Sequence, residues 1–233
     1  ANEALNFGEY YTPASILWDV PIAYQVGNDV FSPTNVDGQF RGDVPVRDAL
    51  QMSLNVPAVE AYRFIGESAF RQTAERMGLR FLGLEEEGAT LGLGTALGES
   101  QVRLLDLVEA YGTIANDGQF VGLQAILSIT DANGNSIPLP ARAEPDQVLD
   151  RSVAYLMQTI LSDHASRTQP GSPFAGNTQL TISNTQESVA AKSGTVRGPS
   201  GRGVSELWTM GFTNDYVVGV WLGTFDDSVI QEN

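Results

Sequence analysis

The chain has 233 residues, 42% of them hydrophobic, and a formal net charge of −15; it holds one lysine, one histidine and no cysteine. That length and composition support one sizeable packed domain and exclude disorder of the bulk. The acidity excludes the basic footprint of a nucleic-acid binder, and the lack of cysteine excludes disulfides, thiolate nucleophiles and cysteine metal sites.

With a single histidine no His-rich metal centre can be built, so no metal and no cofactor is expected. No apolar run approaches the roughly 20 residues that span a bilayer. The chain reads as a piece of a longer precursor, with any export signal or anchor outside it.

In chain order, residues 1–43 lack helical periodicity and carry turn signals at Gly27-Asn28-Asp29 and Ser32-Pro33-Thr34-Asn35, which predicts an irregular, extended segment. A helix is expected from Val46 to Met52. Pro57 is expected to open the next, from Ala58 to Ile65, with Gly66 as its stop. Ser53-Leu54-Asn55 falls in the loop between them. Further helices are predicted at Ser68–Met77 and Arg103–Ala115, closed by Gly78 and by Asn116-Asp117-Gly118. Gln124–Thr130 alternates like a strand, and Ser136–Leu139 is read as its hairpin partner. Asp150 is a credible N-cap for a helix over Arg151–Ser162. The last third reads as strands at Val189–Thr195, Leu207–Thr213 and Tyr216–Gly223, the last two joined at Asn214-Asp215. The pattern is α+β: an antiparallel sheet flanked by helices, in one domain over 1–233.

Two short motifs carry chemistry. Lys192-Ser193-Gly194-Thr195 ends a predicted strand and contains the only lysine. A glycine there lets a substrate backbone approach closely, while an amine and two hydroxyls can hold a carboxylate. The plain alternative is an edge lysine beside a turn. Ser53 and Asn55 could hydrogen-bond both a substrate amide and that lysine, or could simply cap a helix. His164, at the polar end of the predicted helix, would be the only base for a Ser-His-Asp triad; a histidine there is ordinarily solvated. Arg197 and Arg202 are read first as solvated loop charges, and second as groups that meet an anionic substrate.

Ser-x-Asn followed by Lys-(Thr/Ser)-Gly on a strand resembles the signature of penicillin-binding proteins and serine β-lactamases. Arg47–Val59, Ala110–Gly118, Leu207–Thr213 and Val218–Gly223 resemble the matching segments of class A penicillin-binding proteins, so the likeness runs from about Tyr11 to Asp227. The family's Ser-x-x-Lys nucleophile motif is absent. Ala4-Leu5 through Asp19-Val20-Pro21 resembles the stretch directly after it, so the nucleophile is expected shortly upstream of residue 1.

The resemblance implies a peptidoglycan D,D-transpeptidase that works through a serine acyl-enzyme. Ser53, Asn55 and Lys192 would serve catalysis, and Ser193, Gly194 and Thr195 would bind substrate. The partners would be stem peptides and β-lactam antibiotics, at the extracytoplasmic face of a bacterial membrane, with the anchor upstream. Two alternatives stay open: a D,D-carboxypeptidase or β-lactamase of the same fold, and a non-catalytic module that binds wall peptides or β-lactams. Strands missing from the sheet would leave an unpaired edge, from which an edge-paired or swapped dimer could form.

Overall fold

The computed structural model describes residues 11–84, 89–173, 175, 189–197, 203–224, 226 and 228–230. Its first structured unit is a strand pair. β1 (Ile16–Asp19) runs antiparallel to β4 (Gly42–Pro45), with Leu17 opposite Val44. Between them, β2 (Tyr24–Val26) and β3 (Asp29–Phe31) form a tight hairpin across Gly27-Asn28. The segment expected to be irregular is therefore partly strand. Its strands are short and mostly half-exposed, so they show no alternation strong enough to see in sequence.

β4 runs straight into α1 (Val46–Gln51), and a three-residue break, Met52-Ser53-Leu54, leads into α2 (Asn55–Ile65). Pro57 is thus the third residue of α2 and does not open it. Proline is tolerated there because the first-turn N–H groups have no intrahelical partner. α3 (Glu67–Arg76) follows, then a short 3-10 turn at Leu93–Leu97 and α4 (Leu104–Ala115). Of the expected strand over Gln124–Thr130 only β6 (Ile129–Thr130) forms, after β5 (Gln119–Phe120). It pairs with β7 (Ser136–Ile137), as expected, and β8 (Asp146–Gln147) pairs back onto β5.

α5 (Arg151–Leu161) begins at Asp150, whose carboxylate accepts from the Ser152 N–H. α6 (His164–Thr168) is a second, short helix. His164 therefore opens a helix; the Asp163 side chain starts a new turn by accepting from the Ser166 N–H. The last strands are β9 (Ala190–Arg197), β10 (Val204–Phe212) and β11 (Val217–Gly223), in the antiparallel order β11-β10-β9. Lys192-Ser193-Gly194-Thr195 lies inside β9 and does not end it, because pairing with β10 continues to Arg197. Arg202 and the Ala4-Leu5 stretch lie outside the described residues.

Lys192, Met210 and Gly219 stand opposite one another in register across the sheet. Gly219 lets α4 press on this face: a Cβ there would sit 2.7 Å from Val108 Cγ2 and 3.0 Å from Leu104 Cδ1. The core has two parts. One joins Leu17, Val44, Ala49, Met52 and Leu54; the other joins Ile114, Leu161, Ala190 and Phe212, with Leu50 packed against it. α1 stands between them and contributes to both. Each large aliphatic buried this way contributes roughly 1.5–3 kcal/mol, so α1 is held firmly on two sides. No helix among the described residues is long and apolar enough to cross a membrane.

Candidate functional site

The end of α1 fixes Ser53. The helix is closed by Met52 N–H to Asp48 O at 2.8 Å, and Leu54 N–H then returns to Ala49 O at 2.9 Å. That return forces Ser53 into the left-handed region, with φ of 54°. For a residue with a Cβ this conformation costs roughly 1–2 kcal/mol. The neighbours over-determine it: Met52, Leu54 and Val56 are all buried.

The start of α2 is capped from a distance. Leu54 in the cap position offers no side-chain oxygen. Instead Asn35 Oδ1 accepts from the Asn55 N–H at 2.9 Å. Asn35 Nδ2 donates to both carboxylate oxygens of Asp19, at 2.8 and 2.9 Å, and to Gln39 O at 2.7 Å. Asp19 is fully buried and also accepts from the Arg41 N–H at 3.0 Å. A buried carboxylate thus orients an amide that in turn holds the first residue of α2. Sequence reasoning missed both Asp19 and Asn35. Asn35 was seen only as a turn former, and nothing local shows that its amide reaches twenty residues ahead.

β9 brings the tetrad to this turn. Lys192 Nζ donates to Ser53 Oγ at 2.6 Å, across 139 residues of chain, and to Ser193 O at 2.6 Å. Burial, and then the positive charge of Arg167, bring the Lys192 pKa down to about 8. Near neutral pH a fraction of the amine is therefore unprotonated and can exchange a proton with the Ser53 hydroxyl.

The remaining expected residues divide. Ser193 stands opposite Thr209, Gly194 opposite Trp208 and Thr195 opposite Leu207, along the outer strand of the sheet. Gly194 is tightly backed, since a Cβ there would lie 3.3 Å from Trp208 Cβ. Thr195 and Arg197 are exposed. Asn55 is the first residue of α2, and its Nδ2 donates to Thr34 O at 2.7 Å. The structure joins Ser53 and Lys192 directly and leaves Asn55 at the start of α2, just after Ser53 in the chain, with its amide on Thr34 O. His164 lies on the neighbouring α6 and takes no part in this contact. Among the described residues no group of acidic, histidine or cysteine side chains could hold a metal ion.

The arrangement has two chemical capacities. A hydroxyl and a proton-poor amine in contact can relay a proton. A strand edge carrying hydroxyls beside a cation can hold an extended peptide by its backbone and its terminal carboxylate.

The family model for the penicillin-binding protein transpeptidase domain matches residues 11–225. Penicillin-binding protein 1A of Neisseria meningitidis is 29% identical over 220 residues, which is 91% of this chain and 25% of that protein. Penicillin-binding protein 2D of Bacillus subtilis is 27% identical over 225 residues, 95% of this chain and 30% of that protein. The chain thus spans about a quarter to a third of the length of these relatives. Among solved structures, penicillin-binding protein 1A of Haemophilus influenzae superposes with a TM-score of 0.76 at 19% identity, covering 94% of this chain and 36% of that one. PonA1 of Mycobacterium tuberculosis in complex with penicillin V superposes with a TM-score of 0.71 at 24% identity, covering 94% of this chain and 56% of that one.

Proposed function

Because the chain belongs to the penicillin-binding protein transpeptidase domain family, we propose that it supplies the proton relay and the substrate edge of a peptidoglycan D,D-transpeptidase. The observation that carries this reading is the 2.6 Å contact between Lys192 Nζ and Ser53 Oγ.

In the reaction, a serine upstream of residue 1 attacks the penultimate peptide carbonyl of a stem peptide. The serine's hydroxyl proton passes to the lysine of the same upstream Ser-x-x-Lys motif, an ester to the serine forms, the C–N bond breaks, and the leaving amine needs a proton. Ser53 delivers it and Lys192 replenishes Ser53. Lys192, Ser193 and Thr195 hold the terminal carboxylate, and Asn55 orients the donor amide once substrate competes with Thr34 O. The Thr195 N–H supplies one donor to the developing oxyanion, a contribution of about 3 kcal/mol in such sites. An amine from a neighbouring stem peptide then takes the acyl group and frees the serine. β-Lactams acylate the same serine and stay. The whole protein works at the outer face of the bacterial membrane, anchored by a segment upstream of this chain.

The test is covalent labelling by a fluorescent penicillin. This chain alone and a longer form that includes the preceding sequence are incubated in parallel. A stable adduct on the longer form, and none on this chain, supports the reading. A folded longer form that never labels overturns it in favour of a non-catalytic binding module.

A further inference from the structure

Behind the Lys192–Ser53 contact lies a second cation. Arg167 of α6 is only 3% exposed. Its Nη2 donates to Leu161 O at 2.5 Å and to Ala191 O at 3.0 Å. Ala191 immediately precedes Lys192, so the guanidinium is tied to the lysine's own strand. Arg167, Lys192, Ser193 and Gln51 line one narrow cleft, closed by Leu50 and Leu161. The Gln51 amide is buried, and among the described residues neither of its polar atoms has a hydrogen-bond partner.

No carboxylate forms an ion pair with Arg167 among the described residues. The acid on its own helix, Asp163, is engaged by Arg47 Nη2 of α1 at 2.7 Å and by the Ser166 hydroxyl at 2.9 Å. Glu206 of β10 accepts from the indoles of Trp208 and Trp221. His164 opens α6, and Arg151 lies at the far end of α5. Arg47 and Asp48 complete the charged groups of α1. Of these groups, Arg167 is the one whose charge bears on Lys192. Burying an arginine without a direct ion pair is costly, and a structure that does so places a fixed charge where solvent screens it little. A guanidinium does not give up its proton, whereas a lysine readily does.

We propose that Arg167 is a positioning residue for Lys192: its buried guanidinium, fixed to β9 through Ala191, disfavours the protonated amine and so equips Lys192 to pass its proton on to Ser53. The value of this for the enzyme rests on the transpeptidase reading, but the effect on the lysine does not.

Because Lys192 is the only lysine, isotope-labelled lysine gives a single side-chain NMR signal in this chain. Its titration is followed in the wild type and in three variants. Arg167→Met keeps bulk and removes charge, and it raises the Lys192 pKa by about one unit toward the ordinary value near 10.4. Arg167→Lys restores the charge; its new signal is distinguished by comparison, and the Lys192 pKa stays near the wild-type value. Asp163→Asn keeps a competent helix cap and removes the acid that offsets Arg167, so it lowers the Lys192 pKa further. A folded Arg167→Met variant that titrates like the wild type, or an Asp163→Asn variant that leaves Lys192 unmoved or raised, overturns the proposal. The titration needs no acylation, so failure of the transpeptidase reading would leave its outcome intact.

Discussion

Lys192 reaches Ser53 at 2.6 Å from a strand 139 residues further along the chain, and Ser53 meets it with a left-handed backbone. The hydroxyl is placed by strain that a glycine would not feel. Ser53→Gly should therefore be more stable than Ser53→Ala by about 1 kcal/mol, while both lose the hydroxyl that Lys192 contacts. Chemical denaturation midpoints of the two variants check this. Equal midpoints would mean that the turn stores no strain at this residue.

Lys192 gives stability a pH dependence of definite sign. Its folded pKa, about 8, lies below the unfolded value near 10.5. Below pH 8 both states hold the proton, and the burial penalty is present in full. Between about 8 and 10.5 the unfolded state binds more protons, so this group makes folding more favourable as pH rises. Lys192→Met should flatten that rise, by an amount on the order of 2 kcal/mol across the window. The comparison is of thermal or denaturant midpoints from pH 7 to 10, wild type against variant. Tyr111, raised to about 12 by burial, works the other way only at higher pH and is common to both proteins.

Asn35 carries the turn into α2. Asn35→Ala leaves Asp19 buried without its amide partner and α2 without its cap. The loss should be about 2–4 kcal/mol, mostly from the stranded carboxylate. Because the Asn55 N–H loses its acceptor, the same variant should also shift the Ser53 and Lys192 NMR signals. A stability loss with those signals unmoved would separate the cap from the site.

Asp106 is the second buried acid with a clear duty. Its oxygens accept from Arg80 at 3.2 Å each and from Arg103 at 3.0 and 2.6 Å, and the residue is fully buried. Asp106→Ala should cost about 1–3 kcal/mol, since four hydrogen bonds to a buried acceptor are lost while the two guanidinium groups stay in solvent. Urea unfolding measures it. A loss below about 1 kcal/mol would class the cluster with ordinary surface pairs.

The parts legible in the sequence were those written locally. Helical spacing, the Asp150 cap and the Asn214-Asp215 turn each depend on residues within a few positions. The tetrad was legible because chemistry-bearing residues are rare in this chain, and a single lysine is hard to overlook. The β1–β4 pairing was not, because each strand has four residues and its partner is fixed only by the packing of Leu17 and Val44. Asn55 was read in a loop because Pro57 looked like a helix start, whereas the distant Asn35 amide lets the helix begin two residues sooner. Arg167 carried no signal at all: it is buried against the carbonyls of Leu161 and Ala191, from the end of α5 and from β9, and no local pattern encodes that meeting.

The central claim is that Ser53 and Lys192 act as one proton relay. Its most direct measurement is the second-order rate of β-lactam acylation in the longer form of the protein, for Ser53→Ala, Lys192→Ala and the double variant. Each single change should slow acylation by about 100-fold or more, and the double variant should be little worse than the slower single, as expected of groups that act as a unit. Rates within a few-fold of the wild type, or losses that simply multiply, would contradict it.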